Sequence, residues 1–172
     1  MKKTNTGRLA KLALLIALQI VFTRFFSITT PVVRIGFSFL PIAVTSILYG
    51  PVWGAIAAAI ADVIGMMLFP SGAYFPGFTV SAALSGFIYG IFLHKKEFSL
   101  QRVVISVLII SIFVHLGLNS LWLSMITGRA WVPLLIPRIT NIVIMAPIMI
   151  FAIWLIEKRV LSLPAILRER EA

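Results

Sequence analysis

The sequence predicts an all-α, polytopic membrane protein with six transmembrane helices and with both termini in the cytoplasm. Sixty per cent of its residues are hydrophobic and the mean hydropathy is +1.08, whereas soluble domains average about 45–50% apolar residues. The apolar runs approach the roughly 20 residues that a helix needs to cross a bilayer. With 172 residues and short connections, we expect one domain, 1–172, embedded in the lipid bilayer.

Basic residues and turn-forming residues delimit the first three helices. Helix one is expected at 8–27, and because no small-residue cleavage site follows its apolar run, it is retained rather than removed as a signal peptide. The turn at Tyr49-Gly50-Pro51 separates helix two, at 37–49, from helix three, at 52–68.

Polar and turn-forming segments also delimit the last three helices. An uncharged loop of proline, glycine and aromatic residues, 69–77, precedes helix four at 78–93. The polar run from His94 to Glu97 leads into helix five, at 103–126. Helix six is expected at 138–156, and the charged tail after it, 157–172, is expected to lie on the cytoplasmic membrane surface.

The distribution of charge predicts the orientation. An even number of spans places both termini on one side, and eleven of the fifteen Lys and Arg residues fall on that side. By the positive-inside rule this side is cytoplasmic. The net charge of +10 sits at the membrane edges rather than along one stripe, so we expect no nucleic-acid partner. The basic residues on the outer side are Arg24, Arg34, Arg129 and Arg138.

A single acid lies within a long apolar run. Asp62 is the only aspartate of the chain, and an ionised carboxylate in hydrocarbon is costly enough to be a functional-site hypothesis by default. Two compatible interpretations are open: a pair with a membrane arginine, and a contact to the N–H group of a ligand.

Other polar residues of the predicted spans fall at a similar depth. They converge in the outer half, whereas the inner halves are almost wholly apolar, a pattern typical of a pocket that opens outward rather than of a pore. Arg24 and Arg34 either snorkel to the surface or present their planar forks to carboxylates. Arg138 follows Pro137 at a predicted helix start, where its charge opposes the helix dipole, and this favours a functional role. The uncharged polar residues that converge in the outer half are Ser81, Ser85, His115, Asn119 and Asn141.

Aromatic and small residues complete the pattern. Two interpretations of the aromatic residues are open: they form an interfacial aromatic belt, or they stack on a flat ring of a ligand. The residues are Tyr74, Phe75, Trp122 and Trp131. The rows Ala57-Ala61-Gly65 and Ala82-Gly86-Gly90 predict close helix packing. Ala13 and Ala17, with Ala10, either pack inside the bundle or present a smooth face to a partner helix.

Several kinds of chemistry have no sequence signature here. The chain lacks cysteine and has a second histidine only at the inner edge, His94, so we expect no metal site and interpret His115 as a packing or hydrogen-bonding residue. No phosphate-binding glycine loop and no nucleophile–base set occurs. We therefore expect neither an enzyme nor a bound cofactor.

Several segments resemble one transporter family. They are Arg34-Ile35-Gly36-Phe37-Ser38-Phe39-Leu40-Pro41-Ile42, Tyr49-Gly50-Pro51 with Gly54-Ala55, Ala61-Asp62 with Gly65, and Phe69 to Thr79, supported by Asn119, Trp122-Leu123 and Pro137-Arg138. Together they resemble the substrate-binding S components of energy-coupling factor (ECF) transporters. The section from Asp62 to Phe75-Pro76-Gly77 is most similar to the folate-specific members.

This resemblance implies high-affinity capture of folate from outside a bacterial cell by a multi-pass protein of the plasma membrane. It also implies a transmembrane coupling subunit and two ABC-type ATPases as partners, with the alanine face at Ala13 and Ala17 docking on the coupling subunit. Uptake would follow from toppling of the whole protein in the bilayer.

Folate offers a chemical partner to each predicted site residue. Asp62 would accept from the pterin N–H and amino groups, helped by Ser81, Ser85 or Asn119; Tyr74, Phe75 or Trp122 would stack on its rings; and Arg24, Arg34 and Arg138 would meet its carboxylates. The alternatives are an S component for riboflavin or thiamine, a small channel or secondary carrier, and a membrane-embedded enzyme. The outer arginines count against the other vitamins, the apolar inner halves against a channel, and the missing nucleophile against an enzyme.

Overall fold

The computed structural model describes residues 6–29, 34–70, 74–97, 99–128 and 130–159. For Ile28, Thr29, Arg34, Ile35 and Trp131 it describes the backbone alone. The predictions for Arg129, for the side chains of Arg34 and Trp131, and for the tail beyond Arg159 therefore lie outside the described residues.

Helices make up nearly all of the described chain, with one short hairpin between the first two. The elements are α1 (Thr6–Arg24), β1 (Ser27–Thr29), β2 (Arg34–Gly36), α2 (Phe39–Tyr49), α3 (Pro51–Leu68), α4 (Pro76–Leu93), α5 (Leu100–Ile109), a π-helical segment (Ile110–Leu118), α6 (Asn119–Thr127) and α7 (Trp131–Arg159).

Five helices within the described residues are long and apolar enough to cross a membrane. One of them is the continuous run Leu100–Thr127, which comprises α5, the π-helical segment and α6, and the shorter α2 is also apolar. The chain is thus a helical membrane protein. The count of six crossings and the cytoplasmic position of the termini stay predictions.

The helices α1 to α4 alternate in direction, as contacts at their ends show. At one end, the guanidinium of Arg8 lies over the ring of Trp53 and His94 Nδ1 lies 2.8 Å from the carbonyl oxygen of Ile47. At the other, Arg24 contacts Gly65. We call the end with Arg8, Gly50 and His94 the basal end, and the end with Arg24, Asp62 and Thr79 the site end.

Glycines allow α2, α3 and α4 to approach one another at backbone distance. A Cβ atom on Gly86 would collide with the carbonyl group of Gly54, and one on Gly90 would collide with the backbone of Pro51. Ala57 and Ala61 are buried as well, at 1% and 3% exposure. The prediction that these small residues serve helix packing is confirmed.

Gly86→Ala should therefore destabilise the protein by about 1–3 kcal/mol, the usual cost of forcing a methyl group into a packed interior. The measurement is the apparent melting temperature in detergent, which should fall by several degrees. Gly117→Ala is the matched control, because a Cβ there would meet nothing closer than the carbonyl oxygen of Ile112 at 3.5 Å. Equal melting temperatures for the two variants would contradict the close approach.

The last helix is longer than predicted. It begins at Trp131 rather than near Arg138, and it contains both Pro137 and Pro147 in its interior. Transmembrane helices tolerate proline because neighbouring helices and local adjustments satisfy the freed carbonyl groups. The prediction that Arg138 stands at a helix start against the dipole is wrong, since Arg138 lies beyond the first turn.

The first loop contains a short antiparallel hairpin that the all-α prediction did not include. Ser27 pairs with Gly36 and Thr29 with Arg34. A Cβ on Gly36 would meet the side chain of Ser27, so this pair requires glycine. The hairpin begins shortly after Arg24 and leads into α2, and it therefore lies at the site end.

Candidate functional site

Asp62 contacts α4 through a hydrogen-bonded threonine. Thr79 Oγ1 donates to Asp62 Oδ2 at 2.8 Å, and the hydroxyl of Tyr74 lies 3.2 Å from the same Thr79 oxygen. Asp62 is partly buried, whereas Tyr74 is 50% exposed. Because the threonine hydroxyl fixes one carboxylate oxygen, the carboxylate has a defined orientation.

The carboxylate of Asp62 makes no ion pair with a described residue; its one described hydrogen bond is the bond from Thr79. Of the two interpretations that the sequence left open, an arginine pair is therefore not seen among the described side chains, which do not include that of Arg34. The second oxygen, Oδ1, can accept hydrogen bonds from a ligand.

An aromatic cluster stands at the start of α4, close in sequence to Thr79. The rings of Phe75 and Trp122 have centroids 5.7 Å apart, and Phe75 also packs edge-on against Phe78, at 6.3 Å. A Cβ on Gly77 would lie 2.6 Å from both Phe75 and Trp122, so only glycine admits both rings at the start of α4.

Two serines of α4 differ in their roles. The indole Nε1 of Trp122 donates to Ser81 Oγ at 3.1 Å, which fixes the tilt of the indole ring. Ser85 Oγ donates to the carbonyl oxygen of Ser81 at 2.9 Å, so its hydroxyl hydrogen is used within its own helix. The structure thus joins Ser81 to Trp122, whereas the hydroxyl of Ser85 donates within its own helix.

A third cluster joins α7 to the π-helical segment and α6. Arg138 Nη1 donates to the carbonyl oxygen of His115 at 2.8 Å, and Asn119 Nδ2 lies 3.3 Å from His115 Nδ1. Asn119 Oδ1 and Arg138 Nε are buried and have no hydrogen-bond partner among the described residues. Since buried polar groups in folded proteins are nearly always bonded, these two atoms are available to a ligand or to water.

His115 has the hydrogen-bonding role that the sequence predicted, through both its ring and its carbonyl group. Among the described residues, no group of three or more His, Asp and Glu side chains lies together as metal ligands would. The π-helical geometry places Asn119 at its C-terminal edge, and π-helical turns in proteins occur frequently at functional sites.

Arg24 approaches the same end of α3 from α1. Its Nε atom would lie 3.1 Å from a Cβ on Gly65, a residue one helical turn beyond Asp62, and the arginine is half-buried. Gly65 thus leaves room for a guanidinium group within the bundle. The side chain of Arg34 is not described, although its backbone in β2 belongs to the same end.

The alanines of α1 face outward. Ala10, Ala13 and Ala17 are all exposed, whereas Leu12 and Gln19 on the opposite side of the helix are buried. Of the two interpretations left open for this face, packing inside the bundle is wrong, and a surface available to a partner helix stands.

These contacts connect four helices into one candidate site. A carboxylate on α3 provides acceptors, the aromatic rings of Phe75 and Trp122 provide flat apolar surfaces, and Asn119 and Arg138 provide an acceptor and cationic donors. Such a set suits an elongated ligand with a planar heteroaromatic head and an anionic tail. Thr79 was not among the predicted site residues, although it ends the segment Phe69 to Thr79 that resembles the transporter family.

The chain is similar to known proteins over nearly all of its length. A family model described as ECF transporter, substrate-specific component, matches residues 7–161. The chain is 46% identical over 157 residues to the folate transporter FolT of Clostridium novyi (strain NT), with 90% of each protein covered. It is 35% identical over 168 residues to the folate transporter FolT of Leuconostoc mesenteroides, with 93% of this chain and 90% of that protein covered.

Two solved structures share the fold. The crystal structure of FolT bound with folic acid superposes with a TM-score of 0.85 at 40% sequence identity, covering 88% of this chain and 94% of that one. The S-component for biotin from an ECF-type ABC transporter superposes with a TM-score of 0.68 at 19% identity, over 92% and 95%. At that identity the second comparison speaks for the fold alone.

Proposed function

Because the chain belongs to the family of substrate-specific components of ECF transporters, we propose that it captures folate at the outer surface of a bacterial plasma membrane. The observation that carries this proposal is the TM-score of 0.85, at 40% identity, with a FolT structure that holds folic acid. The protein is a transport component rather than an enzyme. The chemistry of the candidate site supports the same ligand.

The pterin head of folate suits the Asp62 end of the candidate site. A pterin presents an amino group and ring N–H groups in one plane, and Asp62 Oδ1 can accept from them while Thr79 holds Oδ2. Phe75 and Trp122 supply the ring surfaces that a planar heterocycle prefers, in offset or edge-on contact. Ser81 serves by holding the Trp122 indole.

The two carboxylates of the glutamate tail suit the arginines. Arg138 is anchored by the bond from its Nη1 to the carbonyl oxygen of His115, which leaves its other donors for a carboxylate. Further candidates are Arg24, in α1, and Arg34, in β2, which belong to the site end of the helix bundle. Charge-assisted bonds of this type are about twice as strong as neutral ones.

The direct test is purification of the protein followed by absorbance spectroscopy and mass spectrometry of the ligand that leaves it on denaturation. Folate in stoichiometric amount supports the proposal. Titration calorimetry of ligand-free protein with folate, riboflavin and thiamine distinguishes the alternatives. Protein that binds riboflavin or thiamine and ignores folate would overturn the proposal.

Uptake then requires partners that this chain lacks. In this proposal a transmembrane coupling subunit and two ABC-type ATPases supply the energy, and the whole protein topples in the bilayer to carry the ligand inward. The exposed alanine face at Ala13 and Ala17 is the proposed docking surface, because small residues let helix backbones approach closely in lipid.

Ala17→Trp should separate binding from uptake. We expect folate uptake by the reconstituted complex to fall at least about fivefold, since interface positions that matter cost more than about 1 kcal/mol. Folate affinity of the isolated protein should stay unchanged. Val143→Trp, on the exposed side of α7, is the control for adding a tryptophan to a lipid-facing helix. Equal uptake by both variants would place the docking surface elsewhere.

A further inference from the structure

Arg8 stands over two aromatic rings at the basal end, far from the candidate site. Its guanidinium carbon lies 5.2 Å from the centroid of the Tyr49 ring and 5.9 Å from that of Trp53. Tyr49 is 5% exposed and Trp53 is 43% exposed, so a buried ring and a surface ring together support the arginine. Contacts of this kind hold a long side chain in one orientation.

The position of Arg8 carries an electrostatic cost within its own helix. It lies in the first turn of α1, where a cation opposes the helix dipole, and that turn contains no acidic residue. Arg8 is exposed, and no hydrogen bond or ion pair joins its guanidinium to another described residue. The rings cover the apolar faces of the guanidinium, so its N–H edges remain for an acceptor from outside the protein.

The surroundings of Arg8 are strongly basic. At the basal end the described acids are Glu97 and Glu157, and Glu157 is buried. Lys158 repeats the arrangement of Arg8, with its Nζ 4.8 Å from the centroid of the Trp154 ring. The described basic residues at this end are Arg8, Lys11, Lys95, Lys96, Arg102, Lys158 and Arg159.

The composition of this cluster and its place at a helix end indicate its ligand. Tryptophan and tyrosine concentrate at the headgroup level of a bilayer, and Arg8 lies at the end of a helix long and apolar enough to span one. A planar guanidinium fork matches a phosphate group in bidentate fashion. A phosphate at this position would also offset the unfavourable charge in the first turn of α1.

We propose that Arg8, supported by Tyr49 and Trp53, binds the phosphate of an anionic phospholipid in the leaflet at the basal end. The lipid is favoured by charge complementarity with the basic cluster and by the two rings, whose residue types concentrate at the headgroup level. This lipid-binding position, formed by Arg8, Tyr49 and Trp53, shares no residue with the candidate folate site. The two can therefore be tested separately.

The test uses the full chain in detergent, with native mass spectrometry of its complexes with dioleoyl phosphatidylglycerol and, separately, dioleoyl phosphatidylcholine. The wild-type protein should retain phosphatidylglycerol preferentially. Arg8→Gln should weaken that retention at least about tenfold, the factor that corresponds to one lost hydrogen bond to a charged group. Folate affinity should stay unchanged in this variant. That result distinguishes the loss of lipid binding from misfolding of the protein.

Arg102→Gln is the matched control, because it removes the same charge at the same end from a guanidinium that donates to the carbonyl oxygen of Glu97. We expect it to change phosphatidylglycerol retention by less than about twofold, as for an ordinary surface substitution. Arg8→Lys, which keeps the charge without the planar fork, should still weaken retention and covers the case in which Arg8→Gln fails to fold.

Three outcomes would overturn the proposal. Equal loss of retention in Arg8→Gln and Arg102→Gln would mean that the lipid binds to a diffuse basic surface rather than to one position at Arg8. Unchanged retention in both Arg8 variants would mean that the cation–π contacts serve the fold alone. Unchanged retention with loss only of coupled uptake would assign Arg8 to contact with the coupling subunit.

Discussion

Asp62→Asn is expected to weaken folate binding at least about thirtyfold, which corresponds to the lower end of the ~2–5 kcal/mol lost when a hydrogen-bonded charge pair is truncated. The substitution keeps the shape of the side chain but replaces an acceptor oxygen by an NH2 group, which would face the donors of the pterin. Asp62→Ala should weaken binding as well, without the donor–donor clash.

Titration calorimetry of the purified variants measures this effect. Glu97→Gln is the matched control, since it makes the same acid-to-amide change at an exposed residue of the basal end and should alter affinity by less than about twofold. Thr79→Val keeps the carboxylate but removes its donor, so its loss should be smaller than that of Asp62→Asn. A wild-type titration curve for Asp62→Asn would remove Asp62 from the site.

The sequence was sufficient to select Asp62 as a candidate, because an ionised acid inside an apolar helix is costly and is a functional-site hypothesis by default. It was not sufficient for Thr79, because threonine is common in membrane helices and its hydroxyl usually bonds within its own helix, as Thr140 does here with the carbonyl oxygen of Ile136. Only the approach of α3 and α4, allowed by Gly54 and Gly86, brings Thr79 to the carboxylate.

Helix boundaries were predictable where proline marks a helix start. α3 and α4 begin at Pro51 and Pro76, within two residues of the prediction, because proline is favoured in the first helical turn. The same signal failed at Pro137, which lies inside α7. Sequence alone does not tell the two cases apart, because the cost of an internal proline depends on the groups that neighbouring helices provide.

The hairpin had a weaker signal that was present nonetheless. The segment from Ile28 to Ile35 contains six β-branched residues, which favour strands, but two strands of three residues lie below the length at which alternation is detectable. The hairpin carries the backbone of Arg34 and follows Arg24, so both arginines belong to the site end.

The candidate site depends on contacts between helices that are distant in sequence. Asp62 bonds to α4, Ser81 of α4 accepts from Trp122 of α6, and the carbonyl group of His115 accepts from Arg138 of α7. Depth along each helix predicted which residues share a level in the membrane. It did not predict which pairs touch, since that depends on helix rotation, and rotation follows from packing.

Arg138→Gln is expected to weaken folate binding at least about tenfold, because a hydrogen bond to a charged group contributes about 1.5–3 kcal/mol. The effect should depend on the ligand. Affinity for 6-hydroxymethylpterin, which has the pterin head but no glutamate, should change little in this variant, whereas Asp62→Asn should weaken the binding of both ligands. Arg102→Gln, with the same change of charge at the basal end, should affect neither ligand.

Two variants and two ligands together determine the direction of folate in the site. If Arg138 meets the glutamate, its substitution reduces the affinity difference between folate and the bare pterin, while Asp62→Asn preserves that difference. The reverse pattern would place the pterin beside Arg138 and the tail beside Asp62, and would contradict the proposed arrangement. Arg138 is anchored to the carbonyl oxygen of His115, so its substitution could also loosen α7. Such loosening would weaken the binding of both ligands, and a loss confined to folate therefore points to the glutamate tail.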